Sequence, residues 1–255
     1  MTTDPLRGIL DHPVLPPGRT TSYGPLPHQV YEVFGDPAAT AWVVLVHGGF
    51  WRARWDRTHL RPLASALARE GYAVALVEYA RTGMVGGGWD GTSTDARAAL
   101  RAVRAEAGNA PVVIVGHSAG GHLAVWLLHQ REAAGVAGAI SLAGCLDLSM
   151  VADLGLDDGA AVDLVGGTPQ THSARYDAAD PARLGRAPYP VVVVHGTADE
   201  AVPVSVARSW WEACAEPGRD VLDLPEGTTH FPLIDPGAPS YPALLGQLRR
   251  LTAQG

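Results

Sequence analysis

Residues 111–121 read PVVIVGHSAGG, and the fold turns on them. Four consecutive β-branched residues, Val112 to Val115, make a strand buried on both faces. Gly116-His117-Ser118-Ala119-Gly120 follows, and then a helix-compatible run. G-x-S-x-G between a strand and a helix lifts a serine hydroxyl on a sharp turn at the carboxyl edge of a sheet. The flanking glycines leave the space such a turn needs, and the helix start points backbone N–H groups at developing negative charge. Ser118 is therefore a candidate nucleophile.

Outward from this stretch the same alternation recurs. Apolar β-branched runs predict strands over 29–34, 42–46, 73–78, 112–115, 138–142, 191–194 and 221–224, with one more N-terminal strand hidden if seven is too few. Helical patterns cover 58–70, 93–107, 119–134, 204–214 and 238–252. Gly71 and Gly108 stand where helices stop, and Ser93 or Thr92 is placed to cap the second helix. Strand and helix in alternation predict an α/β fold, a mostly parallel central sheet flanked by helices, in a single domain over 1–255. Between 145 and 188 the alternation fails in a run rich in Asp, Gly and Ala. That segment is expected to be a small cap insertion over the site.

Composition narrows the class. The chain has 255 residues, 47% of them hydrophobic, and a formal net charge of −7. Its nineteen basic residues are scattered apart from Arg249-Arg250, so no stripe exists to neutralise phosphates and nucleic acid is not an expected partner. No apolar run reaches the roughly 18 residues of a membrane span. The first residues carry Asp4, Arg7, Asp11, Arg19 and several prolines in place of an apolar leader core, so a soluble cytoplasmic protein is expected. Cys145 and Cys214 lack metal-binding spacing, which predicts reduced thiols and no metal site. The expected partner is a small-molecule acyl substrate, and a homodimer is left open.

A neutral serine needs a base, and the base needs an orienting group. Asp199 lies in HGTADEAVP after the strand at 191–194, with Glu200 as its rival, and His230 lies in PEGTTHFP after the strand at 221–224. Of the other histidines after Ser118, His122 and His129 fall on the helix behind it, His172 in the insertion, and His195 at a strand end near the Asp199 loop. The order Ser118, Asp199, His230 places acid and base on loops at the nucleophile's edge. LVHGGFW at 45–51 puts a glycine pair after a strand, where an oxyanion loop belongs, and Gly49, Phe50 and Ala119 are the candidate N–H donors. His47 is expected to stabilise this loop. Phe50, Trp51, Trp55, Tyr79 and Trp89 crowd the same edge, and Trp51, Tyr79 and Trp89 are the candidate substrate-binding residues for an aromatic amide or ester.

HGGFW at 47–51, GHSAGG at 116–121 and the Ser, Asp, His order together resemble the kynurenine formamidase (arylformamidase) group and related bacterial esterases of the α/β-hydrolase superfamily. EYARTGMVGGGWDGT at 78–92 is similar to the EYRR...GGGWP stretch of those bacterial relatives, departing from it at Ala80 and Asp90. The resemblance implies hydrolysis of an N-formylkynurenine-type amide in tryptophan catabolism, without metal or cofactor. The alternative is a carboxylesterase or lipase-like hydrolase acting on a small or secondary-metabolite ester. A non-hydrolytic ligand-binding or acyl-transfer member of the fold is the third reading.

Overall fold

The computed structural model describes residues 6–253, which leaves Asp4 outside. Among them eight strands form one sheet: β1 (Arg19–Ser22), β2 (Val30–Phe34), β3 (Trp42–Val46), β4 (Ala73–Val77), β5 (Val112–His117), β6 (Gly138–Leu142), β7 (Val191–Val194) and β8 (Val221–Asp223). Their order across the sheet is β1-β2-β4-β3-β5-β6-β7-β8. β1 and β2 run antiparallel and β2 joins β4 antiparallel, while every later pairing is parallel. β1 is the strand that apolar alternation misses. Its sequence RTTS lies on the sheet margin with three of its four residues exposed, so no buried face imposes a pattern.

Helices follow in chain order: α1 (Arg7–Leu10), α2 (Arg61–Arg69), α3 (Trp89–Ala107), α4 (Ala119–Leu127), α5 (Leu148–Asp153), α6 (Leu156–Val165), α7 (Ser173–Ala179), α8 (Pro181–Leu184), α9 (Val204–Cys214) and α10 (Tyr241–Thr252). Alternate residues of β3, β5 and β7 feed opposite layers. Trp42, Val44, Ile114 and Val193 pack with residues of α3, α4 and α9, while Val43, Leu45, Val115 and Val192 pack with residues of α2 and α10. Helices on both faces explain why these strands are uninterrupted aliphatic runs.

Helix limits differ from expectation for local reasons. α2 is preceded by a 3-10 turn, Arg57–Leu60, whose Thr58 N–H donates to the Asp56 side chain at 2.9 Å. α3 begins at Trp89 after Gly88, which has φ +83°, so neither Ser93 nor Thr92 caps it. Thr92 instead donates its hydroxyl to the Ala80 carbonyl at 2.6 Å. The helix expected through 134 ends at Leu127 and gives way to a short 3-10 turn, Arg131–Ala133. The last helix starts at Tyr241, three residues later than its apolar pattern.

Residues 145–188 carry α5 to α8. α6 is broken near its start, where Asp157, Asp158 and Gly159 all have positive φ. Buried Asp180 gathers the segment: its carboxylate accepts from the Leu148 and Ser149 N–H groups and the Ser149 hydroxyl. Arg52 reaches across to Asp157 and Asp163, and Arg54 to Asp157. The order of the strands reverses between β3 and β5, which opens a crevice at their carboxyl ends.

Candidate active site

Ser118 follows β5 with φ 56° and ψ −121°, a conformation costly for any residue with a side chain. The turn is tight enough that a Cβ on Gly116 would lie 2.0 Å from the Gly120 carbonyl oxygen, and one on Gly120 would lie 2.1 Å from that of Val46. The elbow therefore rests directly on the end of β3. Ser118 N–H donates to the Leu142 carbonyl at 2.8 Å, fastening the turn to β6.

Asp199 and His230 meet. His230 Nδ1 donates to Asp199 Oδ2 at 2.7 Å, while Asp199 Oδ1 accepts from the Ala201 and Val202 N–H groups, each at 2.9 Å. One carboxylate oxygen is thus held by backbone and the other is aimed at the imidazole. His195 supports the same loop, donating from Nε2 to the Val202 carbonyl at 2.7 Å. Glu200 is exposed and takes no part in this arrangement. With Nδ1 engaged, His230 keeps Nε2 for a proton.

Ser118 and His230 line one cavity of about 140 Å³, together with Gly49, Phe50, Trp55 and Phe231. His117, Arg54 and Asp157 also reach it. His117 is buried beside His230, their ring centroids 4.5 Å apart. Burial, reinforced by the neighbouring His230, holds its imidazole well below the ordinary value and keeps it neutral.

The loop after β3 packs against Ser118, since a Cβ on Gly48 would lie 2.8 Å from both the His117 carbonyl oxygen and Ser118 Cβ. Phe50 and Trp51 take φ 49° and 54° in a turn that the Arg52 N–H closes onto the Gly49 carbonyl at 2.9 Å. The N–H groups of Gly49, Phe50 and Ala119 donate to no acceptor among the described residues. Beneath the loop, His47 Nδ1 lies 2.8 Å from the Gly48 carbonyl oxygen and Nε2 lies 2.8 Å from Glu78 Oε1. Glu78 also meets Arg57 and Arg81 at 3.3 and 3.2 Å. Burial pushes the Glu78 carboxyl up, but the charge and hydrogen bond of His47 and the charge of Arg81 outweigh it and hold the group at about 2.

The aromatic residues divide differently from expectation. Trp51 and Tyr79 are 0% exposed and Trp89 is 5% exposed, and none of the three lines the cavity. Trp51 packs edge-on to His122, Trp89 edge-on to Trp126, and Tyr79 stacks on His47 while donating its hydroxyl to the His47 carbonyl. Large rings at strand ends fold back under the sheet edge, where they bury more area than they could at the surface. Phe50 and Trp55 form the wall instead, with Phe231, whose place next to His230 was the available signal. Cys145 and Cys214 are buried free thiols. Among the described residues no helix is long and apolar enough to cross a membrane.

A family model, BD-FAE, matches residues 29–213. Among solved structures, the propionate-bound Est2 esterase of the planctomycete Thermogutta terrifontis is 26% identical, with 92% of each chain covered and a TM-score of 0.69. An inhibited esterase B from Lactobacillus rhamnosis is 18% identical, covering 97% of this chain and 90% of its own, with a TM-score of 0.76. A truncated carbohydrate esterase from gut microbiota is 16% identical, covering 93% and 97%, with a TM-score of 0.74. The last two likenesses speak to the fold alone. No curated protein matches the chain.

Proposed function

Because the chain belongs to the BD-FAE family, and is built on the α/β-hydrolase fold, we propose that it is a serine carboxylesterase for esters of small acyl groups. One observation carries the reading: Ser118, His230 and the glycine loop with its unengaged N–H groups open onto a single cavity. At about 140 Å³ this space is well below the roughly 300–1,000 Å³ of pockets that enclose drug-sized ligands. It is close to the about 150 Å³ cavity known to admit benzene. An acyl chain of a few carbons fits between Phe50, Trp55 and Phe231, while the alcohol part extends toward Arg54 and Asp157.

In this mechanism Ser118 Oγ attacks the ester carbonyl carbon as His230 Nε2 takes its proton, and Asp199 steadies the resulting imidazolium through Nδ1–H. The oxyanion accepts from the N–H groups of Gly49, Phe50 and Ala119. The C–O bond to the alcohol breaks, and His230 returns the proton to the leaving alkoxide. Water then attacks the acyl-enzyme by the same route and frees the acid.

The motifs alone suggested an aryl formamide, whereas the family match and the esterase neighbours favour an ester. Formyl is the smallest acyl group and fits the same cavity, so N-formylkynurenine is the second substrate class to measure. The test is kcat/KM on p-nitrophenyl acetate, butyrate and octanoate against N-formylkynurenine, with fluorophosphonate labelling of Ser118. Short esters are expected to lead and Ser118 to label. A formamide rate well above the acetate rate would reverse the choice of substrate, and an unlabelled Ser118 would remove the hydrolase reading.

A further inference from the structure

Both ring nitrogens of His47 face groups that only accept: the Gly48 carbonyl and the Glu78 carboxylate, each at 2.8 Å. An imidazole satisfies two acceptors only when both nitrogens carry hydrogen. The ring is fully buried, so solvent cannot substitute for either contact. The Gly48 carbonyl and the Gly49 N–H belong to one trans peptide and point opposite ways. We propose that Glu78 keeps His47 as a doubly protonated imidazolium, and that its Nδ1–H fixes the Gly48–Gly49 peptide with the Gly49 N–H turned to the substrate oxyanion. His47 and Glu78 are then positioning residues. The assignment rests on the esterase reading in taking Gly49 as an oxyanion donor.

Register places the pair. β3 and β4 are parallel with Val46 opposite Val77, so the next residues, His47 and Glu78, emerge side by side at the carboxyl edge. Other charges lie close by: Arg57 and Arg81 share Glu78, Arg57 and Arg61 hold Glu32, and Asp56 lies near enough to sense His47. Tyr79 stacks on the ring and His59 meets it edge-on at 5.9 Å. Burial and then the charge of His47 push His59 down to about 4, so His59 stays neutral beside it. The next peptide is anchored differently, its Gly49 carbonyl accepting from the Arg52 N–H. That backbone tie does not titrate. Losing the Nδ1 proton of His47 would release only the first peptide, and with it one donor.

Two readouts test this. In ¹⁵N-histidine-labelled protein, one histidine absent from the spectrum of His47→Asn should show both nitrogens protonated at neutral pH. In Glu78→Gln that signature should vanish. In His47→Asn, which takes the Nδ1–H away from the Gly48 carbonyl, kcat on a short ester should fall about a hundredfold, the cost of one oxyanion donor, with KM nearly unchanged. A wild-type His47 with only one protonated nitrogen at neutral pH overturns the proposal even if Glu78→Gln does not fold, and so does a His47→Asn kcat equal to that of wild type. If Ser118 labels and esters turn over while His47 is singly protonated, this inference fails and the esterase reading stands. If His47 is doubly protonated in a protein that neither labels nor turns over, its protonation stands without the proposed role.

Discussion

Replacing Ser118 by Gly should stabilise the fold relative to Ser118→Ala, although both variants lack the proposed nucleophile. At φ 56° and ψ −121° residue 118 lies outside the regions open to a residue with a Cβ. Such a conformation costs on the order of 1–3 kcal/mol. Glycine removes that cost but adds about 0.4–1 kcal/mol of unfolded-state entropy. The balance favours Gly by about 1 kcal/mol, which for a chain of this size is a rise in Tm of roughly 2–4 °C. Comparing Gly with Ala cancels the loss of the hydroxyl, so the difference reads backbone strain set against that unfolded-state entropy. Thermal and urea unfolding followed by circular dichroism measure it. An Ala variant as stable as the Gly variant, or more stable, would refute the argument that the fold holds residue 118 under strain.

Other substitutions test other contacts. Asp199→Asn should lower kcat by about 10⁴-fold while Glu200→Gln, at an exposed position, stays near wild type in the same ester assay. Gly120→Ala would set a Cβ 2.1 Å from the Val46 carbonyl oxygen and 2.5 Å from that of His47, and urea unfolding should register a loss of about 3 kcal/mol. Trp55→Ala enlarges the cavity and should raise the ratio of octanoate to acetate kcat/KM about tenfold. Glu78, held at about 2 against an ordinary 4.5, contributes stability that is complete above the ordinary value and lost as pH falls through the folded one. Wild type should therefore lose roughly 3 kcal/mol between pH 5 and pH 2 that Glu78→Gln does not, measured by urea midpoints.

The parts of the site legible in the sequence are those whose chemistry forces a local pattern. The elbow needs glycines at 116 and 120 because backbone from β3 and the next helix occupies the space of a side chain. Asp199 and His230 follow strands whose aliphatic runs mark them as buried, so their loops fall at a known edge. What escaped depends on neighbours remote in sequence. The His47 and Glu78 contact requires knowing that β3 and β4 are adjacent and in register. Position after a strand suggested that Trp51, Tyr79 and Trp89 would face a ligand. Their burial depends on His122, Trp126 and His47, which only the folded chain brings within reach. α3 starts early because a glycine with positive φ opens it, and no side-chain cap advertises the boundary.

The order in which strands join the sheet has a consequence for a chain still emerging from the ribosome. Ser118 and the glycine loop proposed to cradle the oxyanion follow β5 and β3 at the centre, whereas Asp199 and His230 arrive on loops after β7 and β8. The contact that brings His117 to the His230 backbone spans 113 residues. On the proposed mechanism, a nascent chain extending only to β6 carries Ser118 without its proton acceptor and cannot turn over an ester. In that mechanism competence waits on the closing strands, and long-range pairings of this kind form slowly.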